Sequence, residues 1–165
     1  MRLFLLTVFF AALTTLRPQP LTRATVFVFL STECPISQQY IRRLTELHHD
    51  FSGQGIGFVA VFPLRTDDYK TIGRFKTDYA LPFRTQADPQ QQLARQFRAR
   101  ITPEAVVQTK TGQIMYRGAI DDWFFALGKH RPEPTQHYLR DALRAFLANE
   151  PVLIQKTEPV GCLIE

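Results

Sequence analysis

Cysteine is scarce in this chain. There are two, Cys34 and Cys162, which excludes a scaffold stapled by several disulfides. No Cys or His recurs at metal-ligand spacing, so the adjacent His48 and His49 read as a solvated pair on a helix rather than a metal site. There is no phosphate-binding loop, no dinucleotide fingerprint and no Ser-His-Asp order, and no cofactor is expected. Internal repeats and low-complexity runs are missing, which excludes solenoids and disordered linkers. Past the first residues, no stretch is long and apolar enough to span a bilayer. The net charge of +5 comes from scattered Lys and Arg. Without a basic stripe it argues for a solvated surface, and no nucleic-acid partner is expected.

What is present fits one globular domain. The chain has 165 residues, 45% hydrophobic and 21% charged, enough for a single good core. It begins like a secretory leader, with Arg2 before the apolar run Leu3 to Leu13. That run is shorter than a membrane span, and no clean small-x-small cleavage site follows it. The expected organisation is a signal peptide or N-terminal anchor with a linker over residues 1–21, a domain over 22–149, and a tail over 150–165. Export would place the protein in the periplasm or outside the cell, where disulfides persist. A membrane association is expected only if the leader is retained.

One stretch organises the rest. Ala24 to Leu30 is almost continuously apolar, as a strand buried on both faces should be. Ser31-Thr32-Glu33-Cys34 turns the chain, and Pro35 suits the first position of a helix. Tyr40, Ile41, Leu44, Leu47 and Phe51 then repeat at helical spacing. Cys34 therefore sits at the positive end of a helix dipole, which favours the thiolate. The plainer alternative is a buried structural thiol.

Downstream, Ile56 to Phe62 reads as a second buried strand. Thr66-Asp67-Asp68 starts a helix carrying Tyr69, Ile72, Phe75 and Tyr79, with acids in its first turn. Leu81-Pro82-Phe83 reads as a loop or short extended piece, and Asp88-Pro89 caps and opens a third helix, Gln90 to Phe97. Glu104 to Thr109 and Gln113 to Gly118 form a hairpin. Asp121 and Asp122 read as loop caps. Trp123, Phe124 and Phe125 read as core or groove wall. Thr135 precedes a last helix bearing Leu139, Ala142, Leu143, Phe146 and Leu147. The order β-α-β-α-α-β-β-α predicts an α/β fold with a mixed central sheet of about four strands flanked by helices.

Phe29-Leu30-Ser31-Thr32-Glu33-Cys34-Pro35, Ile101-Thr102-Pro103 and the Gly112 to Gly118 hairpin together resemble the thioredoxin-like superfamily. Within it, the chain is similar to the redoxin and peroxiredoxin-like (AhpC/TSA-type) branch, over roughly Ala24 to Ala148. The resemblance implies a thioredoxin-like fold with Cys34 as the attacking cysteine and Pro103 as the cis-proline facing it. Ser37 stands where a thioredoxin has its second cysteine. Thr32, Pro35, Thr102 and Pro103 are the candidate substrate-contacting residues. Phe27 stands where the proline of the peroxiredoxin pattern would be, and Arg100 and Arg117 do not match its arginine.

Ser37 cannot form a disulfide, though its hydroxyl can donate to a Cys34 thiolate. Cys162 lies in a tail punctuated by Pro159 and Gly161 and is a candidate resolving thiol; an incidental thiol is the alternative. Three functions stay open. The first is an exported thiol oxidoreductase in which Cys34 attacks disulfides or oxidised thiols and Cys162 or an external thiol reductant completes the cycle. The second is a thiol peroxidase acting on hydroperoxides. The third is a non-enzymatic binding or metal-delivery module. The expected partners are a protein or small-molecule disulfide or hydroperoxide, and an external thiol reductant.

Overall fold

A computed structural model describes residues 21–165. The expected leader lies outside the described residues, apart from Leu21. In chain order the elements are β1 (Ala24–Phe29), α1 (Pro35–Ser52), β2 (Ile56–Phe62), α2 (Tyr69–Asp78), β3 (Arg84–Ala87), α3 (Gln92–Phe97) and β4 (Ile101–Thr102). They continue with β5 (Glu104–Thr109), β6 (Ile114–Gly118), β7 (Phe124–Ala126), β8 (Lys129–His130), α4 (Tyr138–Ala148) and β9 (Cys162–Leu163).

The central sheet runs β3-β2-β1-β5-β6. β1 pairs parallel with β2 and antiparallel with β5, so it lies in the middle. Both of its faces are therefore covered, which is why its sequence is almost continuously apolar. Side chains alternate across the sheet with period two. Val26, Val28, Ala60, Phe62, Ala105 and Val107 join one cluster with the inner faces of α1 and α4. Phe29, Val59, Val61 and Val106 join a second cluster with Ala94 and Phe97 of α3. Helices thus cover both faces, as expected.

The sheet has five strands rather than about four. The added edge strand, β3, reads Arg-Thr-Gln-Ala and is only partly buried, so it carries no apolar alternation to announce it. α2 is also shorter than its periodicity implies. It begins at Tyr69 with Asp68 as N-cap, whose side chain accepts the Thr71 N–H at 2.7 Å. Ile72 and Phe75 face the core, whereas Tyr69 is exposed. Asp67, expected in the first turn, is instead buried and bonded to Thr32. α3 begins at Gln92 rather than Gln90, with Gln91 at the N-cap position, while the Asp88 carboxylate still accepts from the Gln92 and Ala94 N–H groups. His48 is half-buried rather than fully solvated. It packs against Phe58 and Phe83, and burial first, then the neighbouring His49, holds its pKa below the ordinary value. Phe125 is exposed at the β7–β8 hairpin rather than part of the core.

The tail is not adjustable slack. Residues 155–157 run along the outer edge of β6: Arg117 N–H donates to the Gln155 carbonyl and Thr157 N–H to the Arg117 carbonyl. The Thr157 hydroxyl bonds the Tyr116 hydroxyl and accepts the Ala119 N–H at 2.9 Å. These contacts cover an edge that would otherwise present unpaired backbone groups. Gly118 makes the close approach feasible. Its φ is +139°, and a Cβ there would collide with the Thr157 carbonyl oxygen.

Gly118→Ala should therefore lower the unfolding free energy by about 1–3 kcal/mol, the scale of one strained backbone position. Thermal or denaturant unfolding of the variant checks this, and a protein as stable as the wild type would contradict it.

Candidate active site

Cys34 is the N-cap of α1, with Pro35 at the first helical position. Its backbone is extended, and its carbonyl accepts the Gln38 N–H at 3.1 Å, closing the first turn. The loop before it is tied from several sides. The Ser31 carbonyl accepts the Cys34 N–H, and the Ser31 hydroxyl accepts the Glu33 N–H at 3.2 Å. Gln38 Nε2 donates to the Thr32 carbonyl at 2.7 Å. Asp67 Oδ1 accepts both the N–H and the hydroxyl of Thr32. No local pattern marks Asp67 as part of this loop, because its partner lies 35 positions away. Burial raises the Asp67 pKa, and its Oδ2 has no hydrogen-bond partner among the described residues.

The turn points Cys34 inward, and only 2% of the residue is exposed. Its Sγ lies 3.2 Å from the Thr102 carbonyl oxygen and 2.7 Å from Cys162 Sγ. Both cysteines are free thiols. Cys162 arrives on β9, which pairs antiparallel with β4 so that Thr102 stands opposite Cys162 and Ile101 opposite Leu163. Ile164 N–H donates to the Arg100 carbonyl at 2.9 Å, and the Thr102 hydroxyl donates to the Cys162 carbonyl at 3.4 Å. Gly161 permits the contact, since a Cβ there would run into the Thr102 carbonyl. The Thr102–Pro103 peptide is cis.

Four of the residues singled out from sequence thus meet around one sulfur: Cys34, Ser37, Thr102 and Cys162. Pro103 adjoins them. Thr32 and Pro35 flank the turn instead. The Thr32 polar groups are engaged by Asp67 and Gln38, and Pro35 is exposed at the start of α1. Ser37 is fully buried, and its Oγ accepts the Ser31 N–H at 3.3 Å, which leaves its hydrogen for Cys34. Arg117 donates to the Phe97 carbonyl, and Arg100 pairs with Glu158 at the surface. Among the described residues, neither arginine hydrogen-bonds the Cys34 sulfur.

The electrostatics separate the two thiols. Burial pushes the Cys34 thiol up. Hydrogen bonds from the Cys162 thiol, the Ser37 N–H and hydroxyl, and the Thr102 hydroxyl outweigh it, and the net shift is downward. Burial, then the hydrogen bond to Cys34 and the charge on it, push Cys162 up to about 12. Cys34 is therefore the more acidic of the two thiols. Two of the three causes acting on Cys162 depend on Cys34 and vanish once Cys34 has reacted.

A separate cleft of about 180 Å³ is lined by Arg42, Arg43, Asp121, Glu133, His137 and Arg140 among others, and does not include Cys34. Asp121 is buried there and accepts the Tyr40 hydroxyl at 2.6 Å and the Trp123 N–H at 2.9 Å. Asp122 closes a loop by accepting from Thr135 and Gln136. Trp123 packs against the core, and Arg43 stacks on its ring.

The AhpC/TSA family profile matches residues 13–120. The chain belongs to the AhpC/TSA family. No curated protein matches it. Among solved structures it is similar to a hypothetical protein from Sinorhizobium meliloti 1021, with 25% identity, a TM-score of 0.76, and coverage of 87% of this chain and 79% of that one. It is also similar to an uncharacterized conserved protein from Geobacillus kaustophilus, with 24% identity, a TM-score of 0.71, and coverage of 87% and 77%. A secreted Mycobacterium tuberculosis disulfide oxidoreductase homologous to E. coli DsbE aligns at 16% identity with a TM-score of 0.51, covering 77% and 81%. The fold of this AhpC/TSA member is thioredoxin-like.

Cys34 should titrate below the 9.0 of an ordinary cysteine. The thiolate fraction grows as pH rises through the pKa, so a lowered pKa leaves more thiolate near neutrality. Cys162→Ala removes one donor to that thiolate and should move the midpoint upward. The pH dependence of alkylation of the Cys34 peptide reads both values; a wild-type midpoint at or above 9.0 would contradict the assignment.

Proposed function

We propose that the protein is an exported thiol oxidoreductase whose working pair is Cys34 and Cys162. The observation that carries this reading is the 2.7 Å separation of the two sulfurs, one on a helix start and the other on a strand 128 positions later. Membership of the AhpC/TSA family supports thiol redox chemistry in general. Export rests on Arg2 and the apolar run that follows it. The secreted M. tuberculosis relative is in keeping with it.

The cycle balances as follows. With a disulfide, the Cys34 thiolate attacks one sulfur, forms a mixed disulfide and releases a thiolate. Cys162 then attacks the Cys34 sulfur, releasing the second thiolate and leaving a Cys34–Cys162 disulfide. The substrate gains two electrons and the protein loses two. An external thiol reductant returns the protein to the dithiol. Ser37 holds the thiolate by its hydroxyl and N–H, and the cis Thr102–Pro103 segment walls the sulfur opposite α1.

A thiol peroxidase is the second reading, favoured by the depth of Cys34, which a hydroperoxide reaches more easily than a protein does. There, Cys34 takes an oxygen, becoming a sulfenic acid while the alcohol leaves. Cys162 condenses with it, forming the same disulfide and releasing water.

Both readings predict one product. After mild oxidation and tryptic digestion under non-reducing conditions, the peptide Ala24–Arg42 should be linked to Thr157–Glu165. Cys34→Ser should abolish turnover. Cys162→Ser should stop after one event, with an adduct retained on Cys34. Unlinked peptides from oxidised wild type, with Cys162 free, would exclude Cys162 as the resolving thiol.

A further inference from the structure

The same strand that delivers Cys162 also closes the groove beside Cys34. An extended protein substrate approaching a sulfur next to a sheet edge gains register by pairing its backbone with that edge. Here the edge is taken. Thr102 is paired with Cys162, Ile101 with Leu163, and the Arg100 carbonyl with Ile164. Val160 and Cys162 pack against the cluster that contains Cys34. What remains of Cys34 is 2% exposed. Disulfide exchange needs the attacking thiolate, the attacked sulfur and the leaving sulfur in line. A protein disulfide brings backbone on both sides of those sulfurs, and the strap occupies that space. A small disulfide does not.

We propose that the strap over residues 159–164 is the specificity determinant of Cys34, restricting its oxidants to low-molecular-mass compounds and excluding protein disulfides while β9 is paired with β4. Gly161 is its latch. Only a residue without a Cβ lies this close to the Thr102 carbonyl, so substitution there must part the two strands. Thr157 is a second, independent anchor, holding the strap to Tyr116 and Ala119. This inference rests on Cys34 being the attacking thiolate of the proposed oxidoreductase.

Two probes of one chemistry and different size test it: hydroxyethyl disulfide and insulin. The parent is Cys162→Ser, in which the first step is read alone. The Cys34 thiolate attacks the disulfide, a mixed disulfide forms on Cys34, and one thiolate leaves. Gly161→Ala and, separately, Thr157→Val are added to that parent, with circular dichroism to establish the fold of each. Adduct formation on the Ala24–Arg42 peptide is followed by mass spectrometry. In the parent, the small disulfide should react at least 100-fold faster than insulin. In either opened variant that ratio should fall at least tenfold, through a faster insulin reaction, with the small-disulfide rate changed less than threefold. A parent that reacts equally well with both probes overturns the proposal. So do two folded variants that leave the ratio unchanged. Reaction with neither probe overturns the underlying oxidoreductase reading, and this inference with it.

Discussion

The site depends on one register. Because Cys162 stands opposite Thr102 in the β4–β9 pair, its sulfur reaches Cys34 across the cis Thr102–Pro103 segment. A slip of one residue would turn the Cys162 side chain to the opposite face, since side chains alternate along a strand. The register is held by backbone pairing at Ile101 and Thr102, by the Ile164 bond to Arg100, and by the Thr157 anchor on β6. The glycines at 118 and 161 allow the strap to lie against backbone at both places. With the sulfurs held together, each shifts the other's acidity, and Cys34 is the more acidic of the two.

The frame behind this register is the five-stranded sheet with β1 at its centre. β1 leads into the Cys34 turn, and β5 follows directly from Pro103, so the two walls of the site are the ends of adjacent, antiparallel-paired strands. Burial of β1 and β5 on both faces, between the α1 and α4 side chains and those of α3, leaves little freedom between those ends. Asp67 and Gln38 then fix the turn itself, from α2's leading loop and from α1. The buried, unpartnered Oδ2 of Asp67 marks the cost of bracing the turn with a carboxylate.

Much of this was legible in the chain. β2 coincides with the apolar run between Gly55 and Pro63, β5 starts directly after Pro103 and ends at the Lys110-Thr111-Gly112 turn, and α1 follows Pro35 and the Tyr40 to Phe51 periodicity. Those elements are specified by local chemistry: caps, breakers and burial period. The elements that went unread have little of it. β3 is polar at the sheet edge, and β7 with β8 is a hairpin of five strand residues carrying exposed Phe125. β9 is two residues inside a Pro- and Gly-punctuated tail that resembles a loop. His48 sits among polar neighbours in sequence, yet its ring packs against Phe58 and Phe83, a contact no local pattern encodes.

The sequence by itself determined the strand, turn and helix that place Cys34 at a helix start, because strand burial, the Pro at the first helical position and helical periodicity act over a few residues. It also nominated Ser37, Pro103 and Cys162. Only the tertiary structure decided that the two sulfurs meet, that Cys34 rather than Cys162 is the more acidic thiol, and that the tail is a paired strap rather than a loose end. Those outcomes rest on contacts between residues up to 128 positions apart. Which distant backbone pairs with which is set by the packed sheet and its edges, and the order of residues along the tail does not contain that information.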